Sequence, residues 1–319
     1  MSRTSEVATV NELEAEILAE IADLKKARNA AFLVHNYQVP DVQDIADFVG
    51  DSLGLAQEAA KTNADVIVLC GVRFMAETAK LLNPEKAVLL PERDANCPMA
   101  QMVRPADVVA LKEKHPNAVV VSYVNTTAAT KAVTDFCCTS ANAVKVVTSI
   151  PQDREIIFTP DRHLGAYVRT MTGRDIIIWP GCCPTHARIT AEMVFETKGE
   201  HPGAKVVVHP ECRMEVIELA DAVRSTSGML KYCAESEASD FIVGTEKGML
   251  YPLKKRCPNK NFWPVTEEAV CPNMKLTDLG SVRDALKYMQ YEINIPPDVA
   301  EAARRAIDRM LEIGRDGAN

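Results

Sequence analysis

Three cysteines recur along the chain at nearly equal spacing. Cys97, Cys183 and Cys271 are separated by 86 and 88 residues, and each is followed by a proline. This spacing predicts three copies of one structural unit, each of which contributes one thiol to a common centre. Thiolates are soft ligands that favour zinc or an iron–sulfur cluster over magnesium or calcium. Because three protein ligands leave the fourth position of a four-coordinate site open, the pattern is typical of a catalytic metal site. Cys182 stands beside Cys183, and the spacing alone does not decide between them.

Most of the other cysteines fit a simpler interpretation. Free cysteine is among the most buried residue types and behaves as a small hydrophobic residue. We predict this role for Cys70, Cys137, Cys138, Cys233 and Cys257. The ten cysteines are spread over a long chain without an export signal, which favours reduced thiols over a disulfide framework.

Polar residues stand where predicted strands end. His209 and Glu211 follow one such strand and could act as a general acid and base, if the pKa of the carboxyl group is moved toward neutrality. The alternative is a solvated loop with one salt bridge. The matching points of the other two copies carry His35, Tyr37, Tyr123 and Asn125.

Hydroxyl residues stand where helices are predicted to begin. They are Ser52, Ser140, Ser225 and Thr226. Such residues commonly cap helices, but a helix N-terminus also binds anions through its free N–H groups and its dipole. Three of these ends pointing inward would hold a phosphate or several carboxylates. The chain lacks a GxGxxG or P-loop motif, so we do not expect nucleotide binding.

The elements that must position these residues are those of an α/β protein. Residues 11–28 carry apolar side chains at helical spacing, which predicts an amphipathic first helix. Short β-branched runs separated by helix-length segments then indicate parallel strands that are buried on both faces. The predicted strands are residues 31–34, 66–69, 87–90, 118–121, 144–147, 156–158, 176–179, 205–208 and 241–243.

The repeat extends beyond the cysteines. The first strand of each copy ends near His35, Ser122 and His209, at separations of 87 and 87 residues. A period of this length predicts three similar αβα domains, of roughly three strands each, around a pseudo-threefold axis. We place them at residues 1–112 with the first helix, at 113–200, and at 201–319 with the C-terminal helices. Because ligands bind at the carboxyl ends of parallel strands, we expect the active site at the central interface.

Composition excludes several classes of function. The 319 residues carry a net charge of −8, and no basic run is long enough to follow a nucleic-acid backbone. No segment has the pattern of an export signal or the length of a membrane span. We therefore predict a cytoplasmic enzyme.

Taken together, these residues resemble the quinolinate synthase family. The segments that carry the resemblance are residues 35–38, 95–97, 122–125, 181–186, 209–213, 225–228 and 271–275. They span nearly the whole chain. The resemblance implies three αβα domains around a pseudo-threefold axis and a [4Fe–4S] cluster held by Cys97, Cys183 and Cys271. It selects Cys183 over Cys182, because the family's ligand lies three residues before a histidine, here His186.

The resemblance also implies a reaction and a set of roles. Members of this family are transferases of de novo NAD biosynthesis that condense iminoaspartate with dihydroxyacetone phosphate to quinolinate, phosphate and water, with the cluster as a Lewis acid. The implied catalytic residues are Tyr37, His209 and Glu211. The implied substrate-binding residues are His35, Ser52, Tyr123, Asn125, Ser140, His186, Ser225 and Thr226. L-aspartate oxidase or aspartate dehydrogenase would supply iminoaspartate, with a transient contact as one route. The chain lacks the CxxCxxC motif of some members, so no redox-switch disulfide is expected there.

Two other functions share the three cysteines. A hydro-lyase could use an exposed cluster on a hydroxy acid, but its substrate would need no phosphate pocket. A redox sensor or carrier could use the cluster as a switch, and His209 and Glu211 would then be dispensable.

Overall fold

The structure, a computed structural model, describes residues 3–314, and these residues contain three four-stranded sheets in which all strands are parallel. The first sheet consists of β1 (Ala30–His35), β2 (Phe48–Gly50), β3 (Val66–Cys70) and β4 (Ala87–Leu89). The second consists of β5 (Val119–Tyr123), β6 (Phe136–Cys138), β7 (Ile156–Thr159) and β8 (Ile177–Ile178). The third consists of β9 (Lys205–Val208), β10 (Ala222–Val223), β11 (Asp240–Gly244) and β12 (Asn261–Pro264).

The three sheets share one topology. Their strand orders are β2-β1-β3-β4, β6-β5-β7-β8 and β10-β9-β11-β12, so the first strand of each set always pairs with the second and the third. Every residue of β3 and β5 is buried, as expected for strands covered on both faces. The predicted α/β class and the three similar αβα units are therefore confirmed.

The helices lie between and around these strands. They are α1 (Arg3–Ala27), α2 (Pro40–Asp44), α3 (Ser52–Lys61), α4 (Arg73–Leu82), α5 (Pro105–Lys114), α6 (Ala128–Lys131), α7 (Ala143–Ser149), α8 (Arg162–Thr172), α9 (Ala191–Glu200), α10 (Met214–Ile217), α11 (Thr226–Glu235), α12 (Leu250–Arg256), α13 (Leu279–Tyr288) and α14 (Pro297–Ile313). Short 3₁₀ turns occur at Met99–Gln101, His186–Arg188, Lys247–Met249 and Pro272–Lys275.

Two details of the strand prediction were wrong. Residues 144–147 form part of helix α7, because Ala143, Val146 and Val147 make a buried face at helical spacing. Each unit also has four strands rather than about three. The additional strands at the sheet edges, β2, β6 and β10, have only two or three residues, too few to show an alternating pattern.

The first predicted helix is confirmed with a different start, since α1 begins at Arg3 and ends at Ala27. Ile21 is buried in the core beside the first sheet, and Ile17 and Leu24 pack against that core. Helix α13 also packs on α1 and on β3.

The C-terminal helix α14 packs on α4 in the first unit and on α6 and β6 in the second. One large core cluster contains Leu33, Val121 and Val243, which come from the three different sheets. The units therefore share a hydrophobic core, while the domain boundaries at residues 112 and 200 stay predictions.

Two predictions about the rest of the chain can be compared with the described residues. The cysteines at positions 70, 137, 138, 233 and 257 are free and buried, as predicted. Within residues 3–314, every helix is too short or too polar to cross a membrane.

Candidate active site

The carboxyl ends of the three sheets open on one cavity. The predicted site residues that line it are His35, Tyr37, Ser52, Cys97, Tyr123, Asn125, Ser140, Cys183, His186, His209, Glu211, Thr226 and Cys271. Ser225 is the predicted residue that does not line it. Ser225 caps helix α11 by accepting the Gly228 N–H at 3.3 Å, and its hydroxyl donates to Asp51 Oδ2 at 3.2 Å. The structure thus brings the predicted residues together at the expected edge of the sheets.

Each of the three repeated cysteines follows the last strand of its sheet. Cys97 follows β4, Cys183 follows β8 and Cys271 follows β12, and each is followed by a short 3₁₀ turn. The side-chain amide of Asn273 donates to the carbonyl oxygen of Asn96, which joins the Cys271 loop to the Cys97 loop.

Without a bound cation, the cysteine side chains at this site strongly favour the protonated thiol over the thiolate. Burial raises the pKa of Cys97 to about 12, and the charges of Glu211 and Cys271 contribute to this rise. Burial also raises the pKa of Cys183 well above its usual range, with Glu211 and Cys97 adding to the effect. A bound metal deprotonates coordinating thiols and would offset this mutual repulsion. The donor set therefore fits a soft metal centre.

A second arrangement could hold a single ion. Cys183 Sγ, one ring nitrogen of His186 and one carboxylate oxygen of Glu211 lie within 4.8 Å of one another. His186 Nδ1 is 3.1 Å from both the sulfur and Glu211 Oε2. His186 and Glu211 also take part in the hydrogen-bond chain described next.

A hydrogen-bond chain connects a phenol to a carboxylate across the cavity. Tyr37 OH lies 2.5 Å from Thr245 Oγ1, and Thr245 Oγ1 lies 2.9 Å from His186 Nε2. His186 Nδ1 then faces Glu211 Oε2 at 3.1 Å. A neutral His186 with its proton on Nδ1 can donate to Glu211 and accept from Thr245, which in turn accepts from Tyr37. Protons can therefore be exchanged along four side chains.

The electrostatics of this chain follow from burial and from its neighbours. Burial lowers the pKa of His186 to about 4, although Glu211 partly opposes the shift. Burial by itself would raise the pKa of Glu211, but the neighbouring His186 and His209 outweigh it and hold that pKa below its usual value. Burial and the charge of Glu211 raise the pKa of Tyr37 well above its usual range. At neutral pH the chain thus joins a protonated phenol and a neutral imidazole to a carboxylate.

Two more histidines complete the polar wall. His209 Nδ1 lies 3.2 Å from Glu211 Oε2, its Nε2 lies 3.1 Å from Ser140 Oγ, and its ring stacks on that of His186. His35 Nδ1 accepts the backbone N–H of Tyr37 at 3.2 Å. Burial lowers the pKa of His35 to about 3, so a neutral His35 carries its proton on Nε2.

Two acceptors in the cavity wall have no hydrogen-bond partner within the described part of the chain. They are Glu211 Oε1 and Asn125 Oδ1, and both are buried. Since unpaired buried polar atoms are costly, these oxygens are suited to receive donors from a bound substrate.

Helix starts from the first and third units meet at the cavity. Asp51 caps α3 by accepting the Gly54 N–H at 2.8 Å, and Thr226, the first residue of α11, accepts from Asn36 Nδ2 at 2.8 Å. Asp51 also accepts from the Ser225 hydroxyl, so its carboxylate joins the starts of α3 and α11. The prediction of a helix start at Ser140 was wrong, because Ser140 lies in a turn and α7 begins at Ala143.

Comparison with known proteins assigns the chain to a family. The family model described as quinolinate synthetase A protein matches residues 19–312. The chain belongs to the quinolinate synthase family. Quinolinate synthases of Geobacter metallireducens and Methanosarcina barkeri are 54% and 53% identical to it over 300 residues, covering 94% of this chain and 98% of each relative. The quinolinate synthase of Caldicellulosiruptor saccharolyticus is 52% identical over 299 residues, covering 93% of this chain and 98% of the relative.

The resemblance to quinolinate synthases is therefore confirmed, but the site of this family member contains residues that sequence reasoning missed. Thr245 is the clearest, since it joins Tyr37 to His186. The missed residues that line the cavity itself are Asp51, Val72, Phe74, Met75, Thr185, Glu246 and Met274. A signal existed for Thr245 and Glu246, which follow β11 directly. Polar residues at the carboxyl end of the third strand of each unit are candidates on the same grounds as those after the first strand and in the cysteine loops.

Proposed function

We propose that this chain is a transferase that condenses iminoaspartate with dihydroxyacetone phosphate to quinolinate, phosphate and two waters, in de novo NAD biosynthesis. The observation that carries the proposal is the convergence, in one cavity, of a cysteine from each unit with the chain from Tyr37 to Glu211. The chain's family and its relatives' names support this reaction.

The proposed cofactor is a [4Fe–4S] cluster held by Cys97, Cys183 and Cys271. When bound, such a cluster with an open iron supplies a Lewis acid for a substrate oxygen. The cysteines fit this role because each lies in the loop after the last strand of one sheet, and because partial burial raises their pKa and makes uncompensated thiolates costly.

The remaining residues hold two anionic substrates. The start of α11, where Thr226 lines the cavity and Ser225 caps the helix, would receive the phosphate of dihydroxyacetone phosphate through its first N–H groups and the Thr226 hydroxyl. Tyr123 and Asn125, which both line the cavity, would contact the carboxylates or the imine nitrogen of iminoaspartate. His35, Ser52 and His186 would complete the polar wall.

Proton transfers fall to the hydrogen-bond chain. Loss of phosphate and two waters requires protons to leave carbon and nitrogen and to reach the departing oxygens. Glu211, charged and with Oε1 unpaired, is placed to accept a proton. Tyr37, held in its protonated form, is placed to donate one, and Thr245 and His186 connect the two groups. His209 would orient Glu211 and share its proton.

Three further proposals concern the setting of the enzyme. We place it in the cytoplasm, because its proposed substrates are small metabolites. Its iminoaspartate would come from an L-aspartate oxidase or an aspartate dehydrogenase. Delivery would occur through solution or by a transient contact.

The test is an anaerobic reconstitution. The protein is purified without oxygen, its iron is assayed, and quinolinate is sought by chromatography after addition of iminoaspartate and dihydroxyacetone phosphate. Quinolinate that forms only in the anaerobic sample, with about four irons per chain as a [4Fe–4S] cluster requires, is the expected result. A full cluster without any quinolinate would contradict the proposal and favour a hydro-lyase or a redox sensor.

A further inference from the structure

A partly buried ion pair lies at the edge of the cavity and has no part in the proton chain. Glu246 is almost completely buried, and its Oε1 accepts the backbone N–H of Cys271 at 3.1 Å. Lys275 Nζ lies 3.1 Å from the same oxygen and also donates to the backbone carbonyl of Tyr37. Tyr37 follows the first strand of the first unit, whereas the other three residues belong to the third set of strands and its loops. The pair therefore ties the loop of a proposed acid to the loop of a proposed cluster ligand.

Because the Glu246 carboxylate is buried, it depends on the partners that this contact provides. A buried carboxylate is stable only when it is paired and its oxygens are hydrogen bonded. The second oxygen of Glu246 accepts the Gly248 N–H at 2.7 Å, so both of its oxygens have partners. Removal of Lys275 would leave Glu246 without a countercharge and the Tyr37 carbonyl without this donor.

Gly248 shows how closely the three groups approach. A Cβ atom at position 248 would lie 2.6 Å from Lys275 Nζ, 2.7 Å from Glu246 Oε2 and 2.7 Å from the Tyr37 carbonyl oxygen. These distances are shorter than side chains tolerate. Glycine is required here by the close approach of the lysine bridge, since no other residue leaves space for it.

The second unit contains half of this arrangement. Asp161 Oδ2 accepts the backbone N–H of Cys183 at 3.3 Å, as Glu246 does for Cys271. The other oxygen of Asp161 accepts N–H groups of His163 and Leu164, so its hydrogen bonds stay within the second unit. A carboxylate that orients the ligand loop thus occurs twice, and the lysine bridge to a neighbouring unit is the added feature of the third.

We propose that Lys275 is a positioning residue that fixes the Tyr37 loop against the Cys271 loop, with Glu246 as its anchor. The inference rests on the proposed function, because it assumes that Tyr37 donates a proton beside a cluster bound by Cys271. Partners that orient metal ligands typically change metal affinity or activity by about 10- to 100-fold when they are removed. Lys275 acts on both loops at once, so its loss affects turnover and cluster retention together.

The first test compares Lys275→Met with Lys275→Arg and with a matched control, Lys80→Met. Lys80 also donates to a backbone carbonyl, that of Lys86 at 2.6 Å, and faces a carboxylate at 3.4 Å, but it lies outside the cavity. For Lys275→Met we expect kcat to fall about 10- to 100-fold and iron to pass to a chelator about 10-fold faster. Lys275→Arg should recover part of both losses, and Lys80→Met should match the wild type.

The second test is a double-mutant cycle with Gly248→Ala. Both substitutions break the same bridge, so Gly248→Ala should reproduce the effects of Lys275→Met, and the double variant should be little worse than either one. Effects that multiply, or wild-type iron release and turnover in Lys275→Met, would overturn the proposal. If Lys275→Met does not fold, the iron release and turnover of Gly248→Ala and Lys275→Arg test the proposal instead. Iron release is measured whether or not the wild type forms quinolinate, so a failure of the proposed reaction is seen separately.

Discussion

The chain from Tyr37 to Glu211 depends on one hydroxyl group, that of Thr245. Thr245 is buried and lies 2.5 Å from Tyr37 OH and 2.9 Å from His186 Nε2. Thr245→Val keeps the branched shape of the side chain and removes this hydroxyl. Tyr37 OH and His186 Nε2 are 3.4 Å apart, so a longer direct contact would have to replace two short ones.

The expected effect of Thr245→Val on stability and on kcat can be estimated from the loss of these two hydrogen bonds. One buried group left poorly paired costs about 1–3 kcal/mol of the free energy of unfolding. Proton transfer by a positioned side chain contributes about 10²- to 10⁴-fold to the rate. We expect kcat to fall about 100-fold, equivalent to about 2.7 kcal/mol in the activation free energy. The cysteines are unchanged, so the iron content should stay at the wild-type value.

The assay is anaerobic quinolinate formation, with iron content measured on the same samples. Thr197→Val is the matched control, because Thr197 Oγ1 also makes buried hydrogen bonds, to the Met193 carbonyl at 2.8 Å and the Val265 carbonyl at 3.3 Å, on helix α9 away from the cavity. Thr245→Ser keeps a hydroxyl and should retain most of the activity. A Thr245→Val enzyme with full iron and wild-type kcat would refute the relay. An equal loss in Thr197→Val would show that the effect is one of stability.

Three other predictions concern single residues. Cys183→Ala should lose the cluster and Cys182→Ala should retain it, as measured by iron content and electron paramagnetic resonance; a full cluster without Cys183 would contradict the ligand assignment. Glu211→Gln should keep the iron but lower kcat at least about 100-fold, since it removes the charged acceptor, and normal quinolinate production would exclude this role. His35 has a folded-state pKa of about 3 against 6.5 unfolded, so the unfolded state binds more protons and stability is lost as pH falls below 6.5. Between pH 7 and pH 5 this amounts to about 2 kcal/mol, and urea unfolding of the apoprotein should show a smaller pH dependence in His35→Gln; equal dependence in both proteins would refute it.

Much of the fold could be predicted because its signals are local. Runs such as Val66–Cys70 are rich in β-branched residues and wholly buried, which is typical of strands inside a parallel sheet. The same reasoning failed at residues 144–147, where four apolar-rich positions suit either a strand or a helix. In the structure these residues form a helix, which follows the turn before Ala143 and buries Val146 and Val147 on one face.

The candidate site was predictable to the extent that it follows the repeat. Equal spacing placed Cys97, Cys183 and Cys271 at equivalent loops, and parallel strands place such loops at one edge of each sheet. Their convergence on one cavity agrees with that reasoning. Their roles, and those of the polar residues around them, stay predictions.

What the sequence determined by itself is the class of fold, the threefold repeat and the types of side chain available for chemistry. Which side chains touch was decided only by the tertiary structure. Thr245 meets Tyr37 across 208 residues of chain, and Lys275 meets the Tyr37 carbonyl across 238. No local pattern encodes such pairs, because they depend on how three separately wound sheets pack on a shared core. The same packing sets the burial that lowers the pKa of His186 and raises that of Tyr37.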